Sequence, residues 1–134
     1  MRYMLDTCIC LHLIKRKPAG FLERLRGLSV SEVGISSITL SELEYGVARS
    51  ARPERNRDAL IGFLAPLEIE AFGNEAAACY GVLRTWLEKR GTPTGAVDTR
   101  MAAHALALSA ILVTNNVREF GRVPELVVEN WVEG

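Results

Sequence analysis

Charge of either sign has no majority in this chain. Sixteen Lys and Arg meet sixteen Asp and Glu, and the formal net charge is zero. No global basic field exists to hold a polyanion, so any such partner must be gripped by local patches. Cysteine is scarce and odd in number: the three are Cys8, Cys10 and Cys79. They form no CxxC pair, and with His12 they lack the ligand spacing of a structural zinc site. No secretory leader pattern precedes them, so free thiols in a reduced, cytoplasmic chain are expected. No apolar run approaches the roughly 18 residues of a membrane span, and no membrane partner is expected. Repeats, low-complexity tracts and linkers are missing too, so the 134 residues are expected to form one domain, 1–134. The nucleotide-binding patterns GxGxxG and GxxxxGKS/T do not occur.

What is present is a hydrophobic fraction of 49%, enough for a core without disulfides. Short apolar runs alternate with longer helical patterns. Residues 2–6 read as a strand and 8–16 as a helix. Pro18 suits the first turn of a second helix ending near Gly27. Residues 33–36 read as a short strand, and 39–50 and 53–64 as helices. Residues 67–72 alternate apolar with acidic, as a half-exposed edge strand does. A helix over 74–89 carries an apolar side including Leu83, Trp86 and Leu87. After a loop with Gly91, Pro93 and Gly95 come a helix over 98–109, a buried strand over 110–114 and a short strand over 126–129. Strands separated by helices predict an α/β fold with a parallel sheet covered on both faces.

In such sheets ligands bind beyond the carboxyl ends of the strands. Asp6 stands at such an end, as do Ser36, Ser37 and the polar run Thr114-Asn115-Asn116. Each acid there also has a structural reading. Asp6 can cap the helix that starts near Cys8. Thr39-Leu40-Ser41-Glu42 has the spacing of a capping box, and helical periodicity leaves both Glu42 and Glu44 eligible to face the sheet edge. Asp98 complements a helix dipole, yet Met101, Ala102 and Ala105 follow at three, four and seven residues and set it on the buried side. Asn115-Asn116 is turn chemistry, which makes Glu119 either a surface acid or a ligand that reaches back. Taken together, these side chains gather oxygen ligands at one edge. Crowded carboxylates require protonation or a cation, and hard oxygen donors without a His/Cys set favour Mg²⁺ or Mn²⁺.

The segments YMLDT (3–7), SSITLSELEYG (36–46), GTPTGAVDTRMAAHAL (91–106), LVTNNVREFGRV (112–123) and ENW (129–131), in this order and spacing, resemble the PIN-domain ribonucleases, specifically the VapC toxins of bacterial toxin–antitoxin pairs. The resemblance runs nearly end to end. It implies a PIN-like three-layer α/β/α fold around a central, mostly parallel sheet of four or five strands. It matches Asp6, Glu42 and Asp98 to the family's metal-site acids and so selects Glu42 over Glu44. The fourth position falls at Asn116 or Glu119; Asn116 stands where many relatives have aspartate, and Glu119 is the acid available to replace its charge. Thr7 and Thr114 are expected to support the ligands by hydrogen bonds. The implied activity is an endoribonuclease that cuts structured RNA, with the anticodon loop of tRNA as first candidate, by Mg²⁺- or Mn²⁺-activated water. The implied partners are a VapB-like antitoxin, whose tail covers the acidic groove, and a second copy of the chain. Two departures stand out: Cys8 replaces an asparagine, and Thr94 an aliphatic residue.

Substrate grip is expected from local cations, chiefly Lys15, Arg49 and Arg52, alongside Arg16, Lys17, Arg55, Arg57, Lys89 and Arg90. His104, mid-helix among alanines, is expected to pack with its hydrogen bond satisfied, and Trp86 and Trp131 to serve the core or an interface. The rival to cleavage is a degenerate module that binds RNA or antitoxin, with Cys8 and Asn116 as its marks. A phosphoacceptor receiver domain fits poorly, because Asp6 has no paired acid and no lysine lies near Thr114.

Overall fold

The structure is a computed structural model that describes residues 1–16 and 19–132. In chain order it contains β1 (Tyr3–Leu5), α1 (Thr7–Arg16), α2 (Ala19–Arg26), β2 (Val33–Ser36), α3 (Ser37–Ala48) and α4 (Pro53–Leu64). These are followed by β3 (Glu68–Glu70), α5 (Asn74–Lys89), α6 (Ala96–Leu108), β4 (Ile111–Val113), α7 (Val117–Phe120) and β5 (Val128–Glu129). The five strands form one sheet in the order β3-β2-β1-β4-β5, and every pairing is parallel. The mostly parallel sheet read from the sequence is therefore wholly parallel.

Successive strand residues point to opposite faces, and that alternation builds two cores. Met4 and Leu112 are buried with Leu83, Leu87, Met101 and Phe120, under α5, α6 and α7. Leu5, Val113 and Ile35 are buried with Ile9, Phe21 and Leu43, under α1 to α4. A strand buried on both faces has to be apolar throughout, which is why Tyr3-Met4-Leu5 and Ile111-Leu112-Val113 do not alternate. Each fully buried Leu or Ile contributes about 1.5–3 kcal/mol. Trp131 closes the second of these cores beneath Tyr3 and Phe21, at ring separations of 4.9 and 5.6 Å. Its indole Nε1 donates to Glu129 Oε1 at 2.9 Å, which gives the Glu-Asn-Trp ending a structural use.

Most elements lie within two residues of their expected bounds. The helix expected from residue 39 begins at Ser37, because Ser36 is the cap: its Oγ accepts from Ile38 N at 3.0 Å. The helix expected from residue 98 begins at Ala96, after Gly95. The four-residue α7 was not legible in the Asn-Asn turn. The expected helix start at Pro18 lies outside the described residues, and α2 is described from Ala19. Cys8, Cys10 and Cys79 are free. Among the described residues no helix is long and apolar enough to cross a membrane.

Candidate active site

β1 ends at Leu5, and its ladder runs one residue further, with Asp6 N donating to Val113 O at 3.0 Å. That bond holds Asp6 at the carboxyl edge of the central strand, 3% exposed. Its Oδ1 accepts from Ile9 N at 2.8 Å, so Asp6 does cap α1. The cap occupies one oxygen. Oδ2 accepts a short hydrogen bond from Thr114 Oγ1. Burial raises the Asp6 pKa, against the opposing pull of the Thr114 and Ile9 bonds. Capping and site chemistry are therefore compatible in this residue.

Thr114 links two parts of the edge. While its hydroxyl donates to Asp6, the same oxygen accepts from Asn116 N at 2.9 Å. Asn116 Nδ2 in turn donates to Glu119 Oε2 at 2.7 Å. Glu119 faces Asp98: burial first, then the charge of Glu119 and a shared hydrogen bond with it, then the charge of Asp6, raise the Asp98 pKa to about 6. Glu119 is therefore a near neighbour of Asp98, and a like charge so placed makes Asp98 hold its proton longer. Cys8 stands on the first turn of α1. Its thiol is pushed up by burial and then by the charges of Asp6, Asp98 and Glu119.

Glu42 is placed by different contacts. Thr39 is not a helix cap; it lies inside α3, fully buried. Its hydroxyl is 3.4 Å from Thr7 Oγ1 and donates to Met101 Sδ at 3.5 Å. Glu42 lies one turn further along α3 on that side and is freed from any capping box. Glu44 turns the other way, with Oε1 2.8 Å from Arg57 Nη1 on α4. Among the described residues no three His, Cys, Asp or Glu side chains form a ready-made ligand group. The carboxylates fall into two pairings, Asp6 with Thr114 and Asp98 with Glu119. The donor set itself fits a hard divalent ion: carboxylate oxygens, with an amide and two hydroxyls in support.

The expected substrate cations lie along or between the helices. α1 and α3 start at the carboxyl edge and lead away from it, putting Lys15 about 12 Å and Arg49 about 18 Å along their helices. Arg49 lies over the Tyr45 ring, and Arg52 precedes α4. Ser36 and His104, read separately from the sequence, meet at 2.8 Å in the interior, a pairing that the pattern did not show. Their signal was present as a serine at a strand end and a histidine on a buried helix face.

A parallel α/β sheet with acids from β1, α6 and the segment after β4 at one edge defines a PIN-type fold. The profile described as "PIN domain" matches residues 3–126, and the chain belongs to the PIN-domain family. It is 46% identical to "Ribonuclease VapC2" of Rickettsia felis, over 98% of each chain. It is 43% identical to "tRNA(fMet)-specific endonuclease VapC" of Salmonella typhimurium, again over 98% of each. The structure of VapBC2 from Rickettsia felis bound to a promoter DNA fragment superimposes with a TM-score of 0.93 at 44% identity, covering 98% of this chain and 100% of that one.

Proposed function

We propose that residues 1–134 form one PIN domain acting as a VapC endoribonuclease toxin, with Asp6, Glu42, Asp98 and Glu119 as its metal-site acids. The observation that carries this reading is the hydrogen-bonded chain Asp6–Thr114–Asn116–Glu119 at one sheet edge, with Glu119 acting on Asp98. A divalent ion bound there, Mg²⁺ or Mn²⁺, would supply an activated water and Lewis-acid charge for the leaving oxygen of a phosphodiester. The chain's own residues prepare the place. Thr114 and the Ile9 amide orient the Asp6 carboxylate. The Asn116 amide aims Glu119 at Asp98. Asn116 thus serves as a holder, and the fourth ligand is Glu119. The same bond argues against a degenerate module, because Asn116 brings an acid to the site where the family pattern has aspartate.

RNA is the substrate class, and tRNA the first candidate, supported by the relatives named for cleavage of tRNA(fMet). The solved relatives are VapBC complexes, which supports a VapB antitoxin as partner in the cytoplasm. A groove of about 520 Å³ between α1, α2 and α4, lined by Leu13, Phe21, Leu25 and Phe63, offers an apolar seat for it. The antitoxin's tail would then cover the acidic edge, and a second copy of the toxin completes the assembly.

The test is cleavage of total cellular RNA by antitoxin-free parent and Asp6→Asn protein, with Mg²⁺, with Mn²⁺ and with EDTA, followed by sequencing of fragment ends. Metal-dependent cuts leaving 5′-phosphates, reduced by orders of magnitude in the variant, are expected. Equal cutting by the variant overturns the site. No cutting by folded parent protein with either metal overturns the enzyme and returns the binding module.

A further inference from the structure

Two contacts between α3 and α6 share a register. Ser36, which caps α3, meets His104 at 2.8 Å. One turn on, Thr39 meets Met101 at 3.5 Å. Three residues forward on α3 correspond to three residues back on α6, as when an i, i+3 ridge of one helix lies along that of an antiparallel neighbour. One further turn along each helix from these contacts, the sequence places Glu42 on α3 and Asp98 on α6. The two contacts that couple the helices carrying these acids are buried: Ser36, Thr39 and Met101 are fully buried and His104 is 2% exposed.

The first contact has one satisfying proton arrangement. The Ser36 hydroxyl holds one hydrogen, and its oxygen already accepts from Ile38 N at 3.0 Å. At full burial that hydrogen needs an acceptor, and His104 Nδ1 is the group at hand. Nε2 then carries the imidazole proton toward the Ala71 carbonyl, while Phe72 packs edge-on 5.4 Å away. Burial keeps the ring neutral against the weaker opposing effects of Glu70 and the Ala71 carbonyl. A leucine would fill such a place at lower desolvation cost. A directional bond instead fixes where the first turn of α3 lies relative to α6.

We propose that His104, acting through Ser36, is a positioning residue that sets the separation of Glu42 from Asp98 and thereby the affinity of the acidic edge for its divalent ion. This rests on the metal-site reading above. Asn at this position presents an acceptor near the place of Nδ1, whereas Gln reaches the place of Nε2 and leaves the Ser36 hydrogen unpaired. The experiment measures Mn²⁺ affinity by the electron paramagnetic resonance of free Mn²⁺, together with kcat and KM for RNA cleavage, in parent, His104→Gln, His104→Asn, Ser36→Ala and Ser36→Ala/His104→Gln. Unfolding midpoints are recorded alongside.

His104→Gln should weaken Mn²⁺ binding and lower kcat by about 10-fold, with KM unchanged. His104→Asn should recover most of both. Ser36→Ala should resemble His104→Gln, and the double variant should be no worse than the worse single one. Parent-like Mn²⁺ affinity and kcat in His104→Gln overturn the proposal. So does a loss equal in the Gln and Asn variants that follows the unfolding midpoint, which would make His104 a packing residue only. Should His104→Gln fail to fold, parent-like Mn²⁺ affinity in Ser36→Ala overturns it alone. Failure of the metal-site reading looks different: parent and Asp6→Asn would bind Mn²⁺ alike.

Discussion

Single atoms set the chemistry of the edge, and two side chains expose it to test. Asn116 Nδ2 holds Glu119 at 2.7 Å, and Glu119 in turn crowds Asp98. Partners of this kind typically govern metal affinity by about 10–100-fold. Asn116→Ala is expected to weaken Mn²⁺ binding by that order while leaving the unfolding midpoint nearly unchanged; titration calorimetry checks the first and thermal melting the second. Thr94, the residue that departs from the aliphatic pattern, has a buried Oγ1 without a hydrogen-bond partner. An unpaired buried hydroxyl costs about 1–3 kcal/mol, so the isosteric Thr94→Val should raise stability by about 1 kcal/mol, read as a higher urea midpoint. Asp6 and Asp98 were visible in the sequence because a strand end and a buried helix face each limit where a carboxylate can go. Glu42 was not, since a capping box and a ligand share one spacing; resemblance singled it out, and only Ser36 taking the cap releases it. His104 was legible as a satisfied core histidine, but its partner is 68 residues away, beyond the reach of local pattern.

At the scale of elements, the long periodic segments were read best. The helices over 53–64 and 74–89 have their expected bounds, since Pro53 opens one and Gly91, with φ of 71°, follows the other. The short α7 had too few residues to show a period. The sheet also contains one position where the backbone leaves no space. A Cβ on Gly34 would run into the Glu68 carbonyl of β3 and the Met1 side chain. Backbone cannot yield as a side-chain tip can, so β2 and β3 would have to part. Gly34→Ala is expected to cost about 1–3 kcal/mol, measured as a lower urea midpoint, whereas Gly62→Ala on α4, where nothing lies within 4 Å, should be neutral or slightly stabilising.

The whole molecule carries the electrostatic strain of its edge. A carboxyl with a higher pKa folded than unfolded keeps its proton longer in the folded state. Its favourable effect is complete below the unfolded value of 3.8 and is lost as pH rises toward about 6 for Asp98, with Asp6 acting in the same direction. In EDTA the protein should therefore lose stability between about pH 4 and 7. The contribution of Asp98, half-exposed and screened by solvent, is on the order of 1 kcal/mol. Asp98→Asn should flatten that part of the curve, and Mn²⁺ at 100 times its dissociation constant should restore about 2.7 kcal/mol to the parent. Thermal melts across the pH series, with and without Mn²⁺, measure both.

The bond between Thr114 and Asp6 spans 108 positions of the chain. Synthesis runs from the amino end, and distant pairings form late. Until β4 slides in beside β1, Asp6 has no Thr114 to orient it, and Asp98 and Glu119, carried on α6 and α7, have not been brought to the same edge. A chain that has made Asp6 but not yet Thr114 therefore holds none of this arrangement: the edge belongs to the closed sheet and to no single segment of it.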